Sequence, residues 1–256
     1  MKWIALTGLV IIGLYIVLCC VLYVMQDRLL YFPTPEGHPT GGTPLVVRSG
    51  DVALKIWQVH AQSRDALLYF GGNAEDVAAK ISEFEAIFPD RAVYLVHYRG
   101  YGGNRGVPSE KLLVADALAI YDAIAPRYHS VAVMGRSLGS GVATALATAR
   151  PVERVILVTP YDSIAKVAAD HYGWAPVRWL VKDSFDSVRR MKDVRAPVLA
   201  LIAGRDDVIL HPRSDALVAA IPTTLRHVKV FPNANHNDIN LQPGYREVMQ
   251  TFLRAP

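Results

Sequence analysis

Residues 130–150 read SVAVMGRSLGSGVATALATAR, and this stretch decides how the rest of the chain is read. An apolar run over 131–134 ends in Gly135-Arg136-Ser137-Leu138-Gly139, and small residues continue as far as Ala149. That is G-x-S-x-G with a strand before it and a helix after it, the context the motif requires. The reason is steric. Reversing the chain between strand and helix holds the serine in a strained conformation, and only small neighbours leave room for it. Gly135 and Gly139, without Cβ atoms, let the strand end and the first helical turn approach closely. The pattern predicts a serine hydroxyl raised into a cleft, with the Leu138 N–H beside it at a helix N-terminus.

On both sides of this stretch, apolar runs alternate with helical patterns. Strands are expected over 44–48, 52–60, 65–70, 91–98, 131–134, 154–158, 197–203 and 225–231. Helices are expected over 75–88, after Ser109, over 211–221 and over 247–253. Leu113, Ala117, Ile120 and Ile124 recur at helical spacing behind Ser109, a suitable N-cap. This alternation predicts an α/β protein with a mostly parallel central sheet and helices on both faces. In such sheets the site forms outside the carboxyl ends of the strands, where Gly71, Gly100 and Ser137 fall. Residues 160–194 break the alternation with Tyr161, Tyr172, Trp174 and Trp179, Pro160 and Pro176. They are read as a small cap insertion of one or two short helices over the serine; an ordinary crossover helix with aromatic core contacts is the other reading, and the two are not exclusive.

The chain of 256 residues suits one domain of this size, but its 52% hydrophobic content is high for a soluble protein. The N-terminus accounts for much of that. Residues 3–25 carry no charge, and helix over 4–25 would span about 33 Å against a hydrocarbon core of about 30 Å. No A-x-A-like cleavage site follows, so an uncleaved transmembrane helix is expected rather than a signal peptide. Lys2 and the terminal amine outweigh Arg28, which favours an inside N-terminus and a domain on the outer, extracytoplasmic side. The domain scheme is an anchor over 1–28, a Pro/Gly-rich linker over 29–43 and a catalytic domain over 44–256. Both cysteines, Cys19 and Cys20, lie in the apolar run, which leaves the remainder without disulfide or cysteine-based metal site. A net charge of +4 and no basic stripe interleaved with aromatics argue against a nucleic-acid partner.

A serine is a poor nucleophile until a base takes its proton, and the base needs an orienting acid. In this kind of fold the chain order is Ser, then Asp or Glu, then His. Beyond Ser137, the strand over 197–203 runs into Gly204-Arg205-Asp206-Asp207, and Asp207 is taken as the acid; spacing alone does not exclude Asp206. His236, in the polar loop after the last strand, is the base. His97 ends a central strand and is expected to pack there, and Asp238 is expected to cap the terminal helix. The Asn73 N–H, in the loop Gly71-Gly72-Asn73-Ala74, and the Leu138 N–H are the oxyanion-hole candidates.

With these residues in place, the chain resembles the α/β-hydrolase superfamily, in particular its small membrane-anchored, serine aminopeptidase-like and Bem-type branch. The matching stretches are Arg28-Leu-Leu-Tyr-Phe-Pro33, Gly72-Asn73-Ala74, Tyr98-Arg-Gly-Tyr-Gly102, Pro108-Ser109-Glu110, Gly135 to Gly139, Gly204 to Asp207 and His236-Asn237-Asp238. The resemblance implies a triad of Ser137, Asp207 and His236 and supports the choice of Asp207. One departure is Gly71, where the family usually has histidine. The implied reaction is hydrolysis of an acyl ester or thioester of a small-molecule, lipid or acylated-protein substrate, with no cofactor and no metal required. A peptidase or amidase with the same triad, and a silent membrane scaffold, are the alternatives.

Overall fold

A computed structural model describes residues 2–255. The first helix, α1 (Lys2–Leu30), continues past the expected end near Met25. Eight strands follow: β1 (Thr43–Ser49), β2 (Val52–Val59), β3 (Asp65–Phe70), β4 (Arg91–Val96), β5 (Ser130–Arg136), β6 (Val155–Val158), β7 (Val198–Ala203) and β8 (Arg226–Phe231). They form one sheet in the order β1-β2-β4-β3-β5-β6-β7-β8. The β1–β2 and β2–β4 pairs are antiparallel, and every pair from β4–β3 to β7–β8 is parallel.

The apolar runs became buried central strands because both faces are covered. Alternate residues of each strand serve opposite layers. Leu68, Phe70, Val131, Val133 and Leu157 pack on one face, under α3 (Glu110–Ile124), α4 (Leu138–Ala149), α7 (Ser187–Met191) and α8 (His211–Ala220). Leu67, Tyr69, Ala132, Met134 and Ile156 pack on the other, under α2 (Ile81–Ile87) and α9 (Tyr245–Arg254). The helix expected over 75–88 is split: Val77–Lys80 form a 3-10 turn, capped by the Asp76 carboxylate, before α2 begins. Ser109 caps α3 as expected, accepting from the Leu112 N–H at 3.4 Å.

One expectation changes. Residues 160–194 are not all cap: α7 returns beneath the sheet with Met191 buried, so it is the ordinary crossover helix. The excursion is α5 (Ile164–His171) with α6 (Val177–Leu180). The linker residues after α1 lie against the domain. Tyr31 is buried with its hydroxyl 2.7 Å from Asp183, the Gly102 N–H donates to the Thr34 carbonyl, and Glu36 pairs with Lys55. Proline and glycine shaped this segment to follow the domain surface, an outcome composition does not separate from flexibility.

His97 lies just past β4 and is 2% exposed, as expected of a packed histidine. Asp76 sits 4.0 Å from its Nε2, and Lys55 and Glu36 also face it. Burial outweighs the carboxylates and pushes its pKa from 6.5 down to about 4. An unfolded chain therefore binds a proton that the fold refuses, and stability falls as pH drops from 6.5 towards 4. Between about pH 7.5 and about pH 5 this one group removes roughly 2 kcal/mol. Denaturant unfolding at the two pH values should show that loss in the wild type, and His97→Gln should show a correspondingly smaller one.

Candidate active site

Ser137 connects β5 to α4 with φ 48° and ψ −118°, a left-handed value that L-residues other than glycine rarely adopt. The strain is held by close packing. A Cβ on Gly139 would overlap the Phe70 carbonyl, and one on Gly135 would overlap Gly139 itself. The Ser137 N–H donates to the Val158 carbonyl at 2.9 Å, and its carbonyl accepts from the Ser140 N–H and hydroxyl. With its backbone fixed on both sides, the serine directs Oγ towards His236, whose Nε2 is 3.0 Å away.

His236 stands in the loop after β8, as expected. Its Nδ1 is 2.9 Å from Asp206 Oδ2 and 3.0 Å from Asp206 Oδ1. The sequence assignment of Asp207 is therefore corrected to Asp206. The turn after β7 decides between them. Asp206 is buried, and its Oδ1 accepts the Val208 and Ile209 N–H groups at 3.0 and 2.7 Å. Such a turn aims the Asp206 carboxylate inward, and Asp207 is left exposed. Asp238 is likewise corrected: α9 begins behind Gly244, and the Asp238 carboxylate accepts the Asn235 N–H at 2.6 Å, bracing the loop of His236.

The loop after β3 comes close to the serine. A Cβ on Gly72 would stand 3.7 Å from the Ser137 Cβ. As the first residue of α4, Leu138 has no intrahelical acceptor for its N–H. Among the described residues the Asn73 N–H has no hydrogen-bond acceptor. Three groups hold the Asn73 side chain: its Oδ1 accepts from the Phe32 N–H (2.9 Å) and the Tyr101 hydroxyl (2.8 Å), and its Nδ2 donates to the Leu30 carbonyl (2.6 Å). The end of α1 is thus tied to this loop. Gly71 also has a local reason, since a Cβ there would stand 2.7 Å from Val77 Cγ1. The loop is held instead by the Tyr98 hydroxyl on the Gly71 carbonyl and the Glu75 carboxylate on the Gly72 N–H.

Glu75 and Arg136 form a second layer that the sequence reading did not assign. Glu75 accepts from the Gly72 N–H (2.7 Å), the Tyr69 hydroxyl (2.8 Å) and Arg136 Nη1 (3.3 Å). Arg136 Nη2 reaches across to the His236 carbonyl at 3.1 Å. One half-buried ion pair therefore joins the nucleophile turn, the Asn73 loop and the histidine loop. Burial opposes the charge on Arg136, but Glu75, Tyr69 and Tyr245 outweigh it and leave the guanidinium pKa raised. Arg136 was visible as the second residue of G-x-S-x-G; Glu75 carried no signal of its own. Among the described residues no group of three or more His, Cys, Asp or Glu side chains is arranged to hold a metal ion.

Fold and site together define a hydrolase of the α/β-hydrolase kind, and the chain belongs to the α/β-hydrolase superfamily. It is 37% identical over 234 residues to uncharacterized protein Rv2307c of Mycobacterium tuberculosis, covering 86% of this chain and 83% of that protein. Protein bem46 of Schizosaccharomyces pombe is 28% identical over 217 residues, 79% of this chain and 72% of its own length. Alpha/beta hydrolase domain-containing protein 17C of Homo sapiens is 30% identical over 197 residues, which are 75% of this chain and 58% of that protein. Among solved structures, the Pyrococcus furiosus esterase Pf2001 superposes with a TM-score of 0.70 at 16% identity, over 88% of this chain and 98% of that one. The likeness to the esterase establishes the fold. No family model matches the chain.

Proposed function

We propose that the protein is a membrane-anchored serine hydrolase that cleaves an acyl ester or thioester. The observation that carries this reading is the hydrogen-bonded series Ser137 Oγ, His236, Asp206, assembled from three separate loops at the carboxyl ends of the strands. In the reaction, His236 Nε2 takes the Ser137 proton as Oγ attacks the acyl carbonyl. Asp206 fixes the imidazole tautomer and stabilises its charged form. The Asn73 and Leu138 N–H groups receive the developing oxyanion, a kind of contact worth on the order of 10²–10³ in kcat per donor. His236 then protonates the leaving alcohol or thiol. It next deprotonates the water that releases the acyl group, and Ser137 is regenerated.

Helix α1 supports the membrane assignment: it is near the N-terminus, unburied, and long and apolar enough to cross a bilayer. Lys2 at its start is consistent with an inside N-terminus and an outer hydrolase domain. The domain scheme keeps an anchor over 1–28 and a hydrolase domain over 44–256. Residues 29–43 are the connecting segment, and the cap is confined to α5 and α6. The reading is tested with purified full-length protein on matched acyl substrates: an oxyester, a thioester and an anilide with the same acyl group. Turnover of the oxyester or thioester above the anilide is expected; faster anilide cleavage would make the protein an amidase.

A further inference from the structure

Helix α1 and the cap enclose an apolar groove that the triad chemistry does not use. Leu22, Leu29, Ile164, Ala168, Val177 and Leu180 line it, around a narrow space of about 110 Å³. Polar bonds fix its two walls together. Gln26 Nε2 donates to the Leu180 carbonyl at 3.2 Å, Gln26 Oε1 accepts the Lys182 N–H at 2.8 Å, and Lys182 Nζ lies 4.5 Å from the Tyr23 ring centroid. Higher on α1, the Tyr15 hydroxyl donates to the Trp174 carbonyl at 3.2 Å.

These contacts place the cap at the depth of the bilayer. The 29 residues of α1 span about 43 Å, and the contact at Tyr15 lies about 22 Å along the axis from Leu30. A helix crossing about 30 Å of hydrocarbon therefore cannot keep the cap wholly in water while Tyr15 touches it. The exposed side chains of the cap agree with that depth. Trp174 and Trp179 are 53% and 89% exposed, and Arg178 and Lys182 flank them. Aromatic rings with basic neighbours suit a headgroup layer. One lining residue, Leu30, is bonded to the loop that carries Asn73. Its carbonyl accepts from Asn73 Nδ2 at 2.6 Å, and a Cβ built on the neighbouring Gly72 would stand 3.7 Å from the Ser137 Cβ.

We infer that this groove is the acyl-chain site, drawing one alkyl chain of a membrane-resident substrate from the leaflet along α1 towards Ser137. The inference rests on the acyl-hydrolase reading above and names its substrate class. The occupant is a single alkyl chain because the walls are mostly apolar side chains along a membrane-facing helix, and the one amide among them, Gln26, is engaged by the Leu180 carbonyl and the Lys182 N–H. A free aqueous acyl donor would not need a site that opens at bilayer depth.

The test uses full-length Ser137→Ala protein in phosphatidylcholine–phosphatidylglycerol nanodiscs with a palmitic acid analogue carrying a terminal diazirine. Photolabelling of Ile164 or Ala168 on α5, competed by palmitate and not by butyrate, is the expected result. In the active protein, Ala168→Trp fills the groove. It should lower the ratio of p-nitrophenyl palmitate to p-nitrophenyl butanoate hydrolysis by roughly tenfold, the value of one to two buried methylenes. Ala168→Leu gives a smaller shift in the same direction and serves if the tryptophan variant does not fold. An unlabelled α5 in a protein that cleaves the palmitate ester overturns the inference and leaves the hydrolase reading standing. Proportional loss on both esters, or photocrosslinks joining α5 to a second copy of the chain, also overturns it. Labelled α5 in a wild type that cleaves no ester would uphold the groove and remove the hydrolase reading.

Discussion

Asp206→Asn should lower kcat by about 10⁴, while Asp207→Asn should stay within a few-fold of wild type. The two residues are adjacent, and the difference comes from direction alone. Asp206 turns inward, holds His236 Nδ1 with both oxygens and accepts two backbone N–H groups from its own turn. The asparagine would leave the volume almost unchanged but permit the wrong imidazole tautomer, which removes the base without disturbing the fold. Asp207 is exposed, and its carboxylate makes no recorded hydrogen bond to His236. Steady-state kinetics on one ester, with circular dichroism to confirm folding, checks the pair. Equal losses in both variants would mean that the two acids exchange roles during turnover.

Glu75→Ala is the second large effect, and it acts on stability and rate together. Its carboxylate takes three donors, from Gly72, Tyr69 and Arg136, in a site where the side chain is 7% exposed. Removing it leaves a half-buried guanidinium without its counter-charge, and the cost should stay below the roughly 3–5 kcal/mol of a fully buried pair because Arg136 keeps the His236 carbonyl. The Gly72 N–H loses its acceptor next to Asn73, so the loop that presents the Asn73 N–H relaxes. Misplacement by about 1 Å at such a position costs on the order of 10² in rate. Glu75→Gln keeps one acceptor, for the Gly72 N–H, and turns an NH2 donor to the Tyr69 hydroxyl, which can accept; it should recover more of kcat than of stability. Thermal unfolding and kcat measured on both variants separate the two contributions, since a purely structural role would move them in parallel.

The sequence made the sheet legible because its central strands are buried on both faces and read as continuous apolar runs, as in ALLYF before Gly71 and VLALIA before Gly204. The nucleophile turn was legible because steric demand leaves few residue types possible at 135 and 139. Other features depend on direction in space, which spacing does not encode. Asp206 and Asp207 differ by one rotation of the chain, and only the hydrogen bonds of the turn distinguish them. Asp238 looked like a helix cap because acids before helices usually are; Gly244 took that position and left Asp238 to brace the histidine loop. Proline and glycine after α1 mark a linker, and composition does not reveal that Tyr31 binds Asp183 or that Phe32 reaches Asn73. Glu75 acts through partners up to 61 residues away, beyond any local pattern.

The central claim is an activated serine at Ser137, and labelling by a fluorophosphonate probe tests it most directly. Full-length wild type in detergent should label rapidly. Ser137→Ala should not label at all, and His236→Ala should label far more slowly while remaining folded. Labelling that persists in Ser137→Ala would place the nucleophile elsewhere, and a folded wild type that never labels would make the protein a membrane scaffold instead of an enzyme.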